Sequence, residues 1–521
     1  MKKYIFYISI FVSLILSSCS KDYFDINQNP NTATEPAVTT NLLLPTALHN
    51  TGFMYGTTGA ATARWMGMWT RGGDYGPNNE EESYDITTNF GTSTVQWANW
   101  YNFTFDYVVL EKKALATGQN IYAAIAKTMK TVAFMNLVDQ FNNVPYSKAF
   151  DLDNNILPAY DKGPAIYKDL FAQLDAALVL LNTAVVGKDF DITNADIMYK
   201  GNIVYWKRFI NTQRLKLILR LVNTGTTVIN PTTEMAKITS DGYIGTSPLD
   251  AATVDPGYVK ANNTAQISQQ NPFWDTYKAD VAGTAFDRFN RANNFALTLL
   301  KSTTNDIRYQ YYYDKATTPL GGNLWAGMPY GYPSIAGLPS SANTSGVGGP
   351  GLAKSYSQGQ WILTTIESKF LQAEAIARGL ITGGGTPQIA LDNAIRESFN
   401  WLGVTNAAVE ANNYIASAPV AYTKVSGAVN GNSADIDVII KQKYLSMIGI
   451  SNFEPWTDYR RIGSAGLIAF YAPCFSVNAS AAGKLIPHRF RYPQREYNFN
   501  TSNVAAEGDP NPQSSKIFWA K

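Results

Sequence analysis

Cysteine and histidine are almost missing from this chain, with two of each among 521 residues. Cys19 and Cys474 are too few for a disulfide framework or a Cys-based metal site. His49 and His488 are too few for a His-rich metal cluster or a histidine relay. Charge is scarce as well. Charged residues make up 16% of the sequence, against about 25% in an average soluble domain. The net charge of +2 lacks the basic footprint that nucleic-acid binding requires. After the first 16 residues no apolar run approaches the roughly 20 residues that a membrane-spanning helix needs. The glycine-rich runs Ser345–Gly351 and Gly383–Gly385 are not followed by the Gly-Lys-Ser/Thr of a phosphate-cradling loop, which excludes nucleotide binding of that kind. Asn, Thr, Ser, Gly and Tyr take the place of the missing charges, and neutral polar and aromatic surfaces suit neutral ligands such as sugars.

The N-terminus carries an address. Lys2 and Lys3 precede an apolar stretch from Tyr4 to Leu16, which ends in Leu16-Ser17-Ser18-Cys19. A basic segment, a short apolar core and small residues before a cut site describe a secretory signal. A branched apolar residue, two small residues and Cys form the bacterial lipobox, in which the Cys becomes the acylated N-terminus. Residues 1–18 are therefore expected to be a lipoprotein signal peptide and Cys19 the lipidation site. Residues 19–40, with Asn27-Gln28-Asn29-Pro30-Asn31-Thr32, read as a tether, and 41–521 as a single folded body. Acyl chains contribute about 0.8 kcal/mol per buried methylene, so more than one chain anchors stably.

Helical periodicity dominates the body. Ile166, Leu170, Leu174, Leu178 and Leu181 mark one face after Gly163-Pro164. Ile362, Ile366, Phe370, Ala373 and Ala377 mark another, ahead of Gly379. Leu391, Ile395, Phe399 and Leu402 stop at Gly403. The stretch 121–141 is rich in Ala, Met and Val. Trp206, Phe209, Leu217 and Leu221 share a helix whose other face carries Lys207, Arg208, Arg214, Lys216 and Arg220, expected to be solvated or ion-paired. Between the helices, residues 226–290 and 314–358 look irregular and are rich in Gly, Pro, Asn and Thr; such loops commonly hold function. The expected fold is mainly α, a scaffold of helix pairs with loop insertions, although no clean repeat period emerges.

Several segments then carry a resemblance. These are Asn27–Asn31, Leu42-Leu43-Leu44-Pro45 and Leu137-Val138-Asp139-Gln140-Phe141-Asn142-Asn143-Val144-Pro145-Tyr146. Tyr205–Thr212 with Arg214-Leu215-Lys216, and Phe370–Ala375 with Arg378-Gly379, follow. The most specific are Glu454-Pro455-Trp456-Thr457-Asp458-Tyr459-Arg460-Arg461 and Ile486-Pro487-His488-Arg489-Phe490-Arg491-Tyr492-Pro493, with Glu496 and Asn500 behind. In this order they resemble the SusD/RagB family of Bacteroidota outer-membrane lipoproteins, in its SusD-like family two branch. Asn142 departs from a common Gly, and His488 from a common Arg. The resemblance implies tetratricopeptide-like helix pairs supporting a loop-rich ligand-binding region. It also implies a surface-exposed, lipid-anchored protein at the outer membrane, capping a SusC-like, TonB-dependent transporter and capturing a glycan, or in some relatives a peptide. It implies no catalysis, and no cofactor or metal is expected.

Neutral oligosaccharides are held by aromatic faces flanked by hydrogen-bonding groups. The densest cluster is Trp65, Trp69, Arg71, Asp74, Tyr75, Asn78, Asn79 and Tyr84, punctuated by glycine. From it Trp69, Arg71, Tyr75 and Asn78 are candidate ligand contacts, although Trp65 and Trp69, four apart, read equally as core residues on one helix face. A second cluster comprises Tyr309, Tyr311, Tyr312, Tyr313, Trp325, Tyr330 and Tyr332. Alternation would set Tyr309, Tyr311 and Tyr313 on one strand face, and Trp325 and Tyr330 are ligand candidates on a Gly/Pro loop. Glu80-Glu81-Glu82 reads as a solvated acidic run rather than a calcium site. Trp456, Tyr459, Arg460 and Arg461 are expected to lock the C-terminal segment to the scaffold, and Cys474 to be a small buried apolar residue. Two alternatives stay open: a peptide receptor of the same fold, and a glycoside hydrolase whose paired carboxylates are invisible when far apart in sequence.

Overall fold

A computed structural model describes residues 38–521 apart from 261–268, 286, 303–304, 333–336 and 418–432. Cys19, the signal segment and most of the tether lie outside the described residues. The body is mainly helical, as the periodicity predicts. Its principal helices are α1 (Thr40–Thr57), α2 (Gly91–Thr117), α3 (Asn120–Phe141), α4 (Gly163–Asn182), α5 (Ile203–Arg220), α6 (Asn294–Lys301), α7 (Thr365–Ala377), α8 (Pro387–Leu402), α9 (Ala407–Ala416), α10 (Ser433–Ser446), α11 (Glu454–Ile462) and α12 (Gln494–Phe499).

Successive helices fold back on one another. α2 packs on α3 and α3 on α4; α7 packs on α8 and α8 on α9. The turn from α2 to α3 is tight because Gly118 takes a left-handed backbone (φ +69°), a conformation that costs glycine little. α4 shows why such a helix forms. Pro164 opens it, and Ile166, Leu170, Leu174, Leu178 and Leu181 are buried on one side, the i, i+4 stripe of an amphipathic helix. α3 differs: it is buried on nearly every face, so its neighbours enclose it. It ends at Asn142, whose φ is +71°. An asparagine tolerates positive φ better than most residues, and here its Oδ1 also accepts from the Phe518 backbone N–H at 2.8 Å, a contact glycine could not make.

One apolar stripe divides between two kinds of structure. Ile362 sits in the strand β4 (Gln360–Leu363), which pairs antiparallel with β2 (Ala252–Val254). Thr364 then caps α7, its side chain accepting from the Glu367 N–H, so the helical spacing of Ile362 with Ile366 is coincidental. The second sheet pairs β1 (Trp69–Arg71) with β3 (Asn290–Ala292), antiparallel, with Thr70 opposite Arg291. Tyr309–Tyr312 is a helical turn rather than a strand: its rings do not share one face, and Tyr312 and Tyr313 are buried while Tyr309 is not.

The basic face of α5 points inward. Lys216 Nζ lies 2.6 Å from Glu367 and 2.9 Å from Glu454, and Arg220 bridges Asp139 (3.0 Å) and Glu454 (2.5 Å). Lys443 of α10 joins Glu454 and Asp458, and Arg461 of α11 joins Glu374 at 2.5 Å and Asp458 at 2.8 Å. These charges are buried, where an unpaired ion costs several kcal/mol, so each cation is compensated by carboxylates from other helices. The network ties α3, α5, α7, α10 and α11 together.

The two C-terminal motifs close the scaffold. Trp456 Nε1 donates to the Pro487 carbonyl at 2.7 Å. Arg460 Nη1 donates to the carbonyls of Asp139 (2.6 Å) and His488 (2.9 Å), and its guanidinium lies 3.4 Å from the Trp456 ring centroid. Residues 454–461 and 486–493 thus lock onto the end of α3, as expected. Cys474 is buried against Trp65.

Candidate functional site

The loop-rich region is organised around β1 and β3. Beyond their ladder, the Ala292 N–H donates to Ser345 O (2.8 Å), the Ser345 N–H to Ala326 O (2.8 Å) and the Met328 N–H to Ala292 O (3.1 Å). Segments 69–75, 287–293, 325–332 and 340–346 are therefore stitched into one platform, although they are far apart in sequence.

Three of the six candidate contacts are buried parts of that platform. Trp69 is wholly buried, its ring 5.0 Å from Tyr277; it is a core residue, although it lies in β1 and not on a helix face shared with Trp65. Arg71 is buried. Its Nε lies 2.6 Å from Glu82, its Nη1 donates to Tyr75 O at 2.7 Å and its Nη2 to Tyr332 O. It positions two loops from beneath. Tyr330 is buried and its hydroxyl donates to Glu81 Oε1 at 3.0 Å, where burial pushes the phenol well above its ordinary pKa. The acidic run is likewise not solvated as a whole. Glu81 accepts both prongs of the Arg64 guanidinium (2.5 and 2.7 Å), and Glu82 pairs with Arg71. Only Glu80 remains partly exposed. Two successive carboxylates are buried because two arginines, seven residues apart, come down onto them from either side of a turn.

Tyr75, Asn78 and Trp325 stay accessible. Tyr75 is half-buried, edge-on to Phe289 at 5.3 Å. Its loop approaches residues 338–341 closely: a Cβ on Gly73 would lie 2.3 Å from Pro339 O, and Asp74 accepts from the Ser341 N–H and hydroxyl at 2.9 and 2.8 Å. Asn78 is exposed but occupied, since its side chain caps the helical turn 79–82 by accepting from the Glu81 N–H.

Trp325 is half-buried and borders a cleft of about 370 Å³. The walls are α6, through Asn294, Leu297, Thr298 and Lys301, with Ser302 following, and the loop 323–327. Asn293 caps α6 by accepting from the Phe295 N–H, which aims the helix so that its polar positions 294, 298 and 301 share a face. The Trp325 ring meets Tyr309 edge to face at 5.3 Å. The arrangement offers an aromatic surface beside amide, hydroxyl and ammonium donors, the equipment for stacking on a sugar and bonding its hydroxyls. Asn294, Thr298, Lys301 and Ser302 went unrecognised in sequence because nothing there reveals that α6 lies against the Trp325 loop; the only local signal was the Asn-rich cap at 293–294.

A larger groove, about 470 Å³, runs along α2 and α12 and is lined by Trp97, Tyr101, Phe105, Phe150, Ile156 and Phe499 among others. It is predominantly apolar and lies on the helical scaffold rather than on the loop platform. Among the described residues no group of three or more His, Cys, Asp or Glu side chains could hold a metal ion, and no helix is long and apolar enough to cross a membrane.

Known structures share this architecture. A chitin-binding SusD homologue from Flavobacterium johnsoniae aligns with a TM-score of 0.71 at 22% identity, over 92% of this chain and 98% of that one. A SusD homologue from Bacteroides fragilis NCTC 9343 aligns at 0.68 and 18%, over 92% and 99%. One from Bacteroides ovatus ATCC 8483 aligns at 0.68 and 21%, over 92% and 98%. At these identities the likeness establishes the fold. No curated protein matches the chain. The SusD-like_2 family, described as starch-binding and associating with the outer membrane, matches residues 30–493, nearly the whole body. With its helix pairs, its loop platform and this match across nearly the whole body, the chain belongs to the SusD-like_2 family of outer-membrane-associated binding proteins.

Proposed function

We propose that this protein captures a glycan at the cleft beside Trp325 and hands it to a SusC-like, TonB-dependent transporter, held at the outer-membrane surface by acyl chains on Cys19. The observation that carries the reading is the half-buried Trp325 ring, set beside a 370 Å³ cleft whose polar walls come from Asn294, Thr298, Ser302 and Asn323. A large aromatic left open next to a polar cleft is the usual mark of a binding surface. The description of the family as starch-binding and the chitin-binding relative support a saccharide as the ligand class.

Affinity gel electrophoresis and calorimetry against glycan and peptide panels test this reading. Saccharide binding that Trp325→Ala abolishes supports it. Binding to peptides alone would replace the ligand class, and release of reducing ends on incubation with glycans would replace the binding role with hydrolysis. Co-purification with a barrel-forming transporter tests the delivery step.

A further inference from the structure

The cleft beside Trp325 is lined by one cation, Lys301, and no carboxylate. None of its nine lining residues is Asp or Glu. Lys301 Nζ sits 6.0 Å from the Tyr309 ring centroid and 3.4 Å from the Trp325 carbonyl oxygen. Lys315 Nζ lies 5.4 Å from the Trp325 ring centroid. Both lysines are exposed, and among the described residues neither forms an ion pair. The acid beside Lys315 in sequence, Asp314, is already taken: it pairs with Lys278 at 2.6 Å. An isolated surface lysine means little, because most are merely solvated. Here two of them lie beside the two rings of a single aromatic pair, Lys301 at Tyr309 and Lys315 at Trp325, so the aromatic edge of the cleft carries positive charge.

We propose that the Trp325 cleft takes an anionic glycan, a sugar bearing carboxylate or sulfate groups, with its ring against Trp325 and its anion toward Lys301 and Lys315. The inference rests on the reading of this cleft as the glycan site and narrows the ligand that composition alone would suggest, which is neutral. Ammonium groups over aromatic faces keep their outward N–H bonds free, so an incoming anion adds an interaction without breaking an ion pair. Both lysines face solvent, so the attraction is screened over a Debye length of about 10 Å at 0.1 M salt.

Calorimetry on the detergent-solubilised full chain tests this with matched pairs. One arm compares oligogalacturonate with its methyl ester, which has the same sugars without the charge. The other compares a sulfated galactan oligosaccharide with its desulfated form. In at least one arm the charged member is expected to bind about tenfold tighter at low ionic strength, and that arm identifies the anion. The preference should shrink as salt rises and disappear in the Lys301→Gln/Lys315→Gln double variant, whose denaturation midpoint confirms folding. Equal affinity within both pairs, with binding still lost in Trp325→Ala, overturns the anionic assignment and leaves the glycan site standing. A charge preference that survives Trp325→Ala unchanged overturns the placement of the site as well. Absence of binding in both arms also overturns the inference.

Discussion

The same substitution at two tryptophans should have opposite consequences. Trp69 and Trp325 both stood out in sequence as aromatic residues near glycine, yet one is fully buried and the other borders a cleft. A buried tryptophan removes on the order of 200 Å² from water, worth about 5 kcal/mol at about 25 cal/mol per Å². Large-to-small core changes of this type cost about 3–5 kcal/mol. The Trp69 Nε1 has no hydrogen-bond partner among the described residues, so its loss is one of packing rather than of a polar contact. Trp69→Ala should therefore lower stability by roughly 4 kcal/mol and move the urea midpoint by on the order of 1 M. Any folded fraction should retain glycan affinity close to wild type. Trp325→Ala should leave the urea midpoint within a few tenths of a molar unit and weaken glycan binding by more than about 1 kcal/mol, as lost aromatic contacts do. Denaturation followed by tryptophan fluorescence, paired with calorimetry, reads both quantities on each variant. A Trp69→Ala protein of undiminished stability that no longer binds glycan would refute the reasoning, because it would make Trp69 a ligand contact despite its burial.

Glu81→Gln should destabilise by about 3–5 kcal/mol, since it leaves the buried Arg64 guanidinium without its counter-charge; a loss of unfolding free energy below about 1 kcal/mol in chemical denaturation would contradict this. Acid stability should fall in two stages. Burial, with Arg460 and Lys516 nearby, lowers the His488 imidazole to about 4 from 6.5. The unfolded state therefore binds the extra proton between those values, and stability drops by on the order of 2 kcal/mol as pH falls from 6.5 to 4, after allowance for partial solvent screening. Burial raises the Glu374 carboxyl, but Arg461 and Arg378 outweigh that effect and hold it at about 2 against an ordinary 4.5. Its stabilisation is present above pH 4.5 and lost toward pH 2, on the order of 3 kcal/mol. In denaturation series across pH, His488→Gln should flatten the first stage alone; an unchanged profile would show that His488 does not titrate as its surroundings dictate. Cys19→Ala should leave the folded body intact and shift it out of the membrane fraction on cell fractionation, and retention there would point to anchoring through a partner.

The sequence by itself determined the helical scaffold, the locking role of Trp456 and Arg460, and the burial of Cys474. These features are legible because each has a local signature: an i, i+4 stripe, a breaker at the right place, a small apolar residue with no partner cysteine. Tertiary structure alone decided the site. Glu81 and Glu82 look like a solvated acidic run until Arg64 and Arg71 are seen above them, and the basic face of α5, expected to be solvated or ion-paired, proves ion-paired only once Glu367, Glu454 and Asp139 arrive from three other segments. Trp69 and Trp325 cannot be told apart in one dimension, because burial depends on what packs over a residue, and Tyr277 and α6 reach them from far along the chain. Local periodicity records the interactions of a residue with its near neighbours, whereas a binding cleft is defined by the surfaces that distant segments leave uncovered.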